Sequence, residues 1–219
     1  DINNIKIQQF PNKKYFKNIL DNFNNLETIL NNCLNAQYAI NLDNNVKIMK
    51  THSACWKTNK TTFTNYENTL GVIHIVRDPR NVITSLKNHY RKENYQIAME
   101  FMTDERKFIG SKNFKEEFDV PALISSWSNH YKSWSKFNKN YLLIKYEDLL
   151  KNPKIEFLKI TEYLKKITNF KFNEDIDKII YECAFDNLKN QENKKGFKEA
   201  AKNQKFFFLG PKNNWKEIL

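Results

Sequence analysis

Twice in this chain of 219 residues a short, nearly unbroken apolar run stops at a break and gives way at once to a helical pattern. The runs are residues 71–76 (Gly-Val-Ile-His-Ile-Val) and 141–146 (Tyr-Leu-Leu-Ile-Lys-Tyr). Pro79 and a helical pattern over 81–91 follow the first; Asp148 and a pattern over 153–165 follow the second. A strand apolar on both faces suits a parallel sheet covered on both sides, and strand, turn and helix in repetition predict an α/β fold with right-handed crossovers. A shorter run at 46–50 precedes them. Ligands of such sheets bind at the carboxyl ends of the strands, so those ends are where chemistry is sought. Upstream, Phe16, Ile19, Leu20, Phe23, Leu26, Ile29 and Leu30 recur at spacings of three and four, which predicts one or two packing helices within 12–42. The weakly periodic, charged residues 92–120 read as a surface insertion or lid, 189–205 as a mobile polar segment, and 1–219 as a single domain without internal repeats.

Composition narrows the function. With 36 Lys and Arg against 25 Asp and Glu the net charge is +11. That balance favours an anionic partner, namely nucleic acid, a membrane surface or an anionic small molecule, although a Lys-rich solvated surface would give the same number. Only four of the 36 are Arg, against 32 Lys, and with 32 Asn the composition reads as codon bias. The scarce Arg77 and Arg80, which share one four-residue stretch, therefore carry more information than the scattered Lys. Scattering, and the lack of basic–aromatic alternation, argue against a nucleic-acid binder. A hydrophobic content of 40% with 14% aromatic excludes general disorder. The four glycines stand at 71, 110, 196 and 210, so no Gly-rich phosphate loop of the Walker or dinucleotide type can be written. Cys33, Cys55 and Cys183 fit neither a disulfide framework nor a zinc pattern, which predicts a reducing, cytoplasmic setting and no metal. No apolar run reaches the roughly 18 residues of a membrane span, and the opening residues lack the features of a signal peptide.

Arg77 falls at the carboxyl end of the 71–76 run, Pro79 suits a first helical turn, and Ser85 follows two turns on. An anion there would meet a guanidinium fork, a hydroxyl and a helix dipole together. The competing expectation pairs Arg77 with Asp78 or Glu147. The pattern from Arg77 through Pro79 and Ser85 to His89 resembles the 3′-phosphate-binding element of PAPS-dependent sulfotransferases, which move a sulfuryl group from 3′-phosphoadenosine 5′-phosphosulfate to a hydroxyl or amine. The resemblance implies a three-layer α/β/α sandwich around a mostly parallel sheet, of the P-loop nucleotide-kinase-like kind, with Arg77 and Ser85 on the 3′-phosphate. Lys50, Thr51 and His52 are similar to the family's Lys-Thr-His motif, which implies His52 as general base and Lys50 on the phosphosulfate. The chemistry suits those residue types, because His titrates near working pH and a cation stabilises the charge of a departing phosphate. His74, His89 and His130 read as structural. Trp127, His130 and Trp134, followed by Tyr146, Glu147 and Asp148, resemble the family's Trp-x-x-His-x-x-x-Trp helix and Tyr-Glu-Asp strand end. By the same resemblance Tyr146 lies on the adenosine side and Phe185 stacks on adenine, although the two Trp and Phe185 equally suit a core. Residues 206–216 resemble the family's closing segment and place Phe206 and Gly210 at the cofactor. There the family's Arg and Lys are replaced by Phe208 and Leu209 and its second Gly by Asn213, which leaves Lys212 as the substitute cation.

The family's Pro-Lys-Ser-Gly-Thr-Thr-Trp loop has no counterpart in this reading. The resemblance accordingly spans 46–219, the N-terminal strand is expected to be missing, and the chain, which starts at Asp rather than Met, is expected to be a fragment or incomplete copy that binds PAPS poorly. The implied co-substrate is PAPS with no metal, and the implied partner a small-molecule or glycan acceptor, with a homodimer left open. Trp56, Phe63, Tyr66 and 92–120 are the candidates for the acceptor side, whose class stays open. The alternative is a catalytically impaired nucleotide-binding or scaffolding relative.

Overall fold

A strand stands where the sequence offers neither an apolar run nor a glycine. In the computed structural model, which describes residues 7–20, 25–110, 120–137, 140–169, 171–197, 200 and 205–218, β1 (Gln8–Gln9) pairs in parallel with β2 (Met49–Lys50). Gln8 lies opposite Met49 and Gln9 opposite Lys50. This corrects the expectation of a missing N-terminal strand. The strand is held by its partner rather than by its own propensity: the Gln8 N–H donates to the Ile48 carbonyl at 3.0 Å and the Phe10 N–H to the Lys50 carbonyl at 2.9 Å. A single 3-10 turn, Lys13–Tyr15, follows with Asn12 as its cap, and then α1 (Leu26–Asn31) and α2 (Cys33–Asn41). Among the described residues, segment 12–42 thus holds one turn and two short helices, and Phe23 lies outside them.

The two apolar runs form β3 (Val72–Val76) and β6 (Tyr141–Lys145), which pair with each other. They are less covered than their composition predicts, since His74 and Ile144 are buried while Ile75 is 58% exposed. After β3 comes α3 (Pro79–His89), started by the Asp78 carboxylate, which accepts from the Arg80 N–H, and by Pro79 in the first turn. The 92–120 segment holds α4 (Tyr95–Thr103) and β4 (Phe108–Ile109), with 111–119 outside the described residues; β4 pairs antiparallel with β5 (Ala122–Leu123). Ser126 caps α5 (Trp127–Ser135). Beyond β6 lie α6 (Tyr146–Lys151), α7 (Pro153–Ile167), α8 (Ile176–Glu182), α9 (Phe185–Lys195) and α10 (Trp215–Ile218). The first part of the 189–205 segment is therefore helix; 198–199 and 201–204 lie outside the described residues.

The chain divides into two compact units, residues 1–74, 103–142 and 164–171 in the first and 75–102, 143–163 and 172–219 in the second. Unit 1 has an aromatic core in which Phe10, Phe16, Trp56, Phe63, Trp134 and Phe137 close around Ile29, Cys33 and Ala36. Unit 2 buries Ile83, Ala98 and Ile144, but also Thr84, Glu156, Glu192 and Asn213. The large majority of buried polar groups are hydrogen-bonded, so these last mark where unit 2 is built by polar contacts.

Candidate functional site

In unit 1 the Lys50, Thr51 and His52 segment leaves β2 and is stitched to α5. The Trp134 indole N–H donates to the Ser53 carbonyl at 2.9 Å, and the Cys55 N–H donates to the Ser133 hydroxyl at 2.9 Å. The Ala54 N–H bonds the Leu123 carbonyl at 2.8 Å. Ser53 and Ala54 are buried, whereas His52 itself is exposed, so a fixed backbone carries an imidazole at the surface. His130, assigned a structural role from sequence, is a neighbour of His52: burial pushes its pKa down, the charge of His52 acts in the same direction, and hydrogen bonds to the backbone of His52 and Ser53 oppose both. Four residues before Trp134, it shares the helix that holds the segment. His74 is buried against the Tyr141 hydroxyl, 2.8 Å away, and burial with the nearby His130 pulls its pKa down to about 4. The same burial pushes Tyr141 up to about 12. Trp56 and Phe63, read as acceptor-side candidates, are core residues at 8% and 3% exposure, while Tyr66 is exposed.

Unit 2 carries the residues read as cofactor-binding. Arg77 leaves β3 with its guanidinium 4.4 Å from the centre of the Tyr146 ring and one arm donating to the Gly210 carbonyl at 3.3 Å. Its Nε–H is buried without a hydrogen-bond partner among the described residues. Neither expected carboxylate takes it. Asp78 is bound by Arg80, whose Nη2 is 2.6 Å from the carboxylate, and Glu147 accepts the Asp78 backbone N–H at 2.9 Å. That Arg80 hydrogen bond holds Asp78 below its usual carboxylate range. Ser85 is exposed on α3 and accepts from the Asn213 amide at 3.0 Å. Phe185 opens α9 and packs on Gly210, where an added Cβ would come within 2.2 Å of the ring; Gly210 has φ +53°. Phe207 meets Phe185 edge-on at 6.0 Å, and Phe206 is 42% exposed beside Phe197. Lys212 ends a 3-10 turn, Gly210–Lys212, and is exposed.

The C-terminal segment of unit 2 is strapped at two points. Buried Glu192 accepts the N–H groups of Phe206 and Phe207 at 2.6 and 3.1 Å, and Asn213 bonds α3. Neither residue carries a signal in the sequence; an acid inside the polar stretch after 189 and an Asn among 32 look like surface. The turn after β1 is equally silent in the sequence. There the Lys14 ammonium donates to the Gln8 side chain at 3.1 Å and lies 4.7 Å from the Tyr15 ring centre, while Asn12 is buried.

The architecture is that of α/β proteins that present functional side chains where strands end. A family model described as the sulfotransferase domain matches residues 2–219, and the chain belongs to that family. The match also extends the likeness well upstream of residue 46, where the sequence motifs begin. Sulfotransferase 1B1 of Canis lupus familiaris is 30% identical over 131 residues, 57% of this chain and 39% of that protein. Sulfotransferase 1 family member D1 of Mus musculus is 28% identical over 174 residues, 75% of this chain and 52% of that protein. The chain thus spans about half or less of the curated relatives it matches. In fold it is similar to mouse sulfotransferase SULT7A1 complexed with PAP (TM-score 0.55, 22% identity, 79% of this chain and 60% of that one). It is likewise similar to retinol dehydratase in complex with retinol and PAP (TM-score 0.57, 20% identity, 84% and 52%). No described helix is long and apolar enough to cross a membrane.

Proposed function

We propose that the chain serves sulfuryl transfer from PAPS to a hydroxyl or amine acceptor. The observation that carries this reading is the buried Arg77 Nε–H without a partner, on a guanidinium already held by Tyr146 and Gly210. A buried donor left unsatisfied costs about 1–3 kcal/mol, and an anionic oxygen is the group that would relieve it. Arg77 and the Ser85 hydroxyl would take the 3′-phosphate, Tyr146, Phe185 and Phe206 the adenosine side, and exposed Lys212 would add charge in place of the cations absent at Phe208 and Leu209. In unit 1, His52 would remove the acceptor proton as the acceptor oxygen or nitrogen attacks sulfur in line. The sulfur–oxygen bond to the nucleotide breaks in the same displacement, and the Lys50 ammonium stabilises the phosphate oxygen that leaves with the bonding pair.

A second reading, nucleotide binding without turnover, is favoured by the apolar Phe208 and Leu209 and by the glycine-free turn after β1, where Lys14 is engaged with Gln8. Titration calorimetry with 3′,5′-ADP, run beside a sulfate-transfer screen over acceptor classes, separates the two. Binding with turnover that His52→Ala abolishes supports the first; binding without turnover supports the second. No binding by the native chain, or full activity in the His52 variant, would overturn the assignments.

A further inference from the structure

Asn213 is 4% exposed, and its side-chain amide reaches into α3 three times. Nδ2 donates to the Asn81 carbonyl at 2.8 Å and to Ser85 Oγ at 3.0 Å, and Oδ1 accepts from the Thr84 hydroxyl. The amide can sit only one way round, because the Asn81 carbonyl is an acceptor and must face nitrogen. Both amide hydrogens are then spent as donors, and Ser85 Oγ receives one of them. A helical serine ordinarily returns its own proton to the carbonyl four residues back. For Ser85 that carbonyl belongs to Asn81, and it already accepts from the Asn213 amide at 2.8 Å and, in the regular ladder of α3, from the backbone N–H of Ser85 itself. The Ser85 proton is left to point outward, on the exposed side of α3.

We infer that Asn213 is a positioning residue that keeps Ser85 a hydrogen-bond donor toward the nucleotide's 3′-phosphate. The inference rests on the reading of Arg77 and Ser85 as the 3′-phosphate site. Hydrogen-bond polarity thereby does part of what charge would do at Phe208 and Leu209. The backbone of Asn213, at φ −75°, asks for no special residue. The segment also keeps other anchors, since the Trp215 N–H donates to Asn81 Oδ1 at 2.9 Å and the Arg80 guanidinium lies 4.1 Å from the Trp215 ring centre. Substitution at 213 therefore leaves the chain folded, which a melting curve checks.

The test compares 3′,5′-ADP with 5′-AMP by titration calorimetry on the full chain. Their affinity ratio isolates the 3′-phosphate. Ser85→Ala and Asn213→Ala each lower that ratio by roughly tenfold, the scale of one hydrogen bond to a charged group, while 5′-AMP affinity is unchanged. The double variant loses no more than the larger single loss, because the two side chains act as one unit. Asn213→Asp, which can only accept, draws the Ser85 proton inward and lowers the ratio further; where its buried charge unfolds the chain, the Ala variant decides. Equal weakening of both nucleotides by Asn213→Ala marks a merely structural role and overturns the inference while the site reading stands. A ratio that falls with Ser85→Ala but not with Asn213→Ala does the same. A native chain that binds the two nucleotides alike removes the site reading itself, and the inference with it.

Discussion

Glu192→Gln tests whether the C-terminal segment is held in place by a buried carboxylate. In the native chain one carboxylate oxygen accepts the Phe206 N–H at 2.6 Å and the other the Phe207 N–H at 3.1 Å, with Glu192 only 4% exposed. The amide keeps the shape but offers one acceptor. One N–H then faces an NH2 group, and the surviving bond falls from a charge-assisted to a neutral one. Hydrogen bonds to charged groups contribute about 1.5–3 kcal/mol and neutral ones about 0.5–1.5. Losing one and weakening the other would cost about 2–4 kcal/mol, and because Phe206 is 42% exposed water replaces part of it, which leaves about 2 kcal/mol. For a chain of this size that is a fall in Tm of about 4–8 °C. Urea unfolding gives the stability change, and hydrogen exchange gives its location, with the Phe206 and Phe207 amides losing protection ahead of the rest of unit 2. A change below about 0.5 kcal/mol, with both amides exchanging as in the native chain, would refute the strap.

Gly210→Ala should be worse than a loop substitution, because its Cβ would stand 2.2 Å from the Phe185 ring at φ +53°; displacement of that ring should weaken 3′,5′-ADP binding in calorimetry along with a drop of several degrees in Tm. Trp134→Phe removes the bond to the Ser53 carbonyl and part of a core ring, so a loss of about 2–3 kcal/mol in urea unfolding is expected, with the His52 imidazole resonance shifted in NMR; an unmoved resonance would detach α5 from the His52 segment. His74 titrates at about 4 against 6.5 for the free side chain, so on acidification the unfolded chain takes up the proton first. Its contribution is therefore full above about pH 6.5 and is lost as pH falls through about 4, an effect of up to about 3 kcal/mol; His74→Gln should flatten the acid side of the Tm–pH curve, and parallel curves would refute the assignment.

The strand-turn-helix units around β3 and β6 were legible because their signals are local: an apolar run, a proline that cannot continue a strand, a capping Asp78. The positions of Arg77, Ser85 and His52 at or after strand ends followed from the same signals. β1 was not legible, since Gln-Gln becomes a strand only by borrowing the backbone of β2. The same holds for burial, where Trp56 and Phe63 looked like pocket residues and close the core of unit 1 instead.

By itself the sequence determined the fold class, the family motifs and which charges are rare enough to matter, all of which depend on residues within a few positions of one another. Tertiary structure decided how those residues are partnered. Arg77 is spared by Asp78 and Glu147 because other donors reach those carboxylates first, and the Ser85 hydroxyl accepts from an Asn 128 positions away. Hydrogen-bond polarity depends on which groups the folded chain brings within about 3 Å, and no spacing in the sequence encodes that.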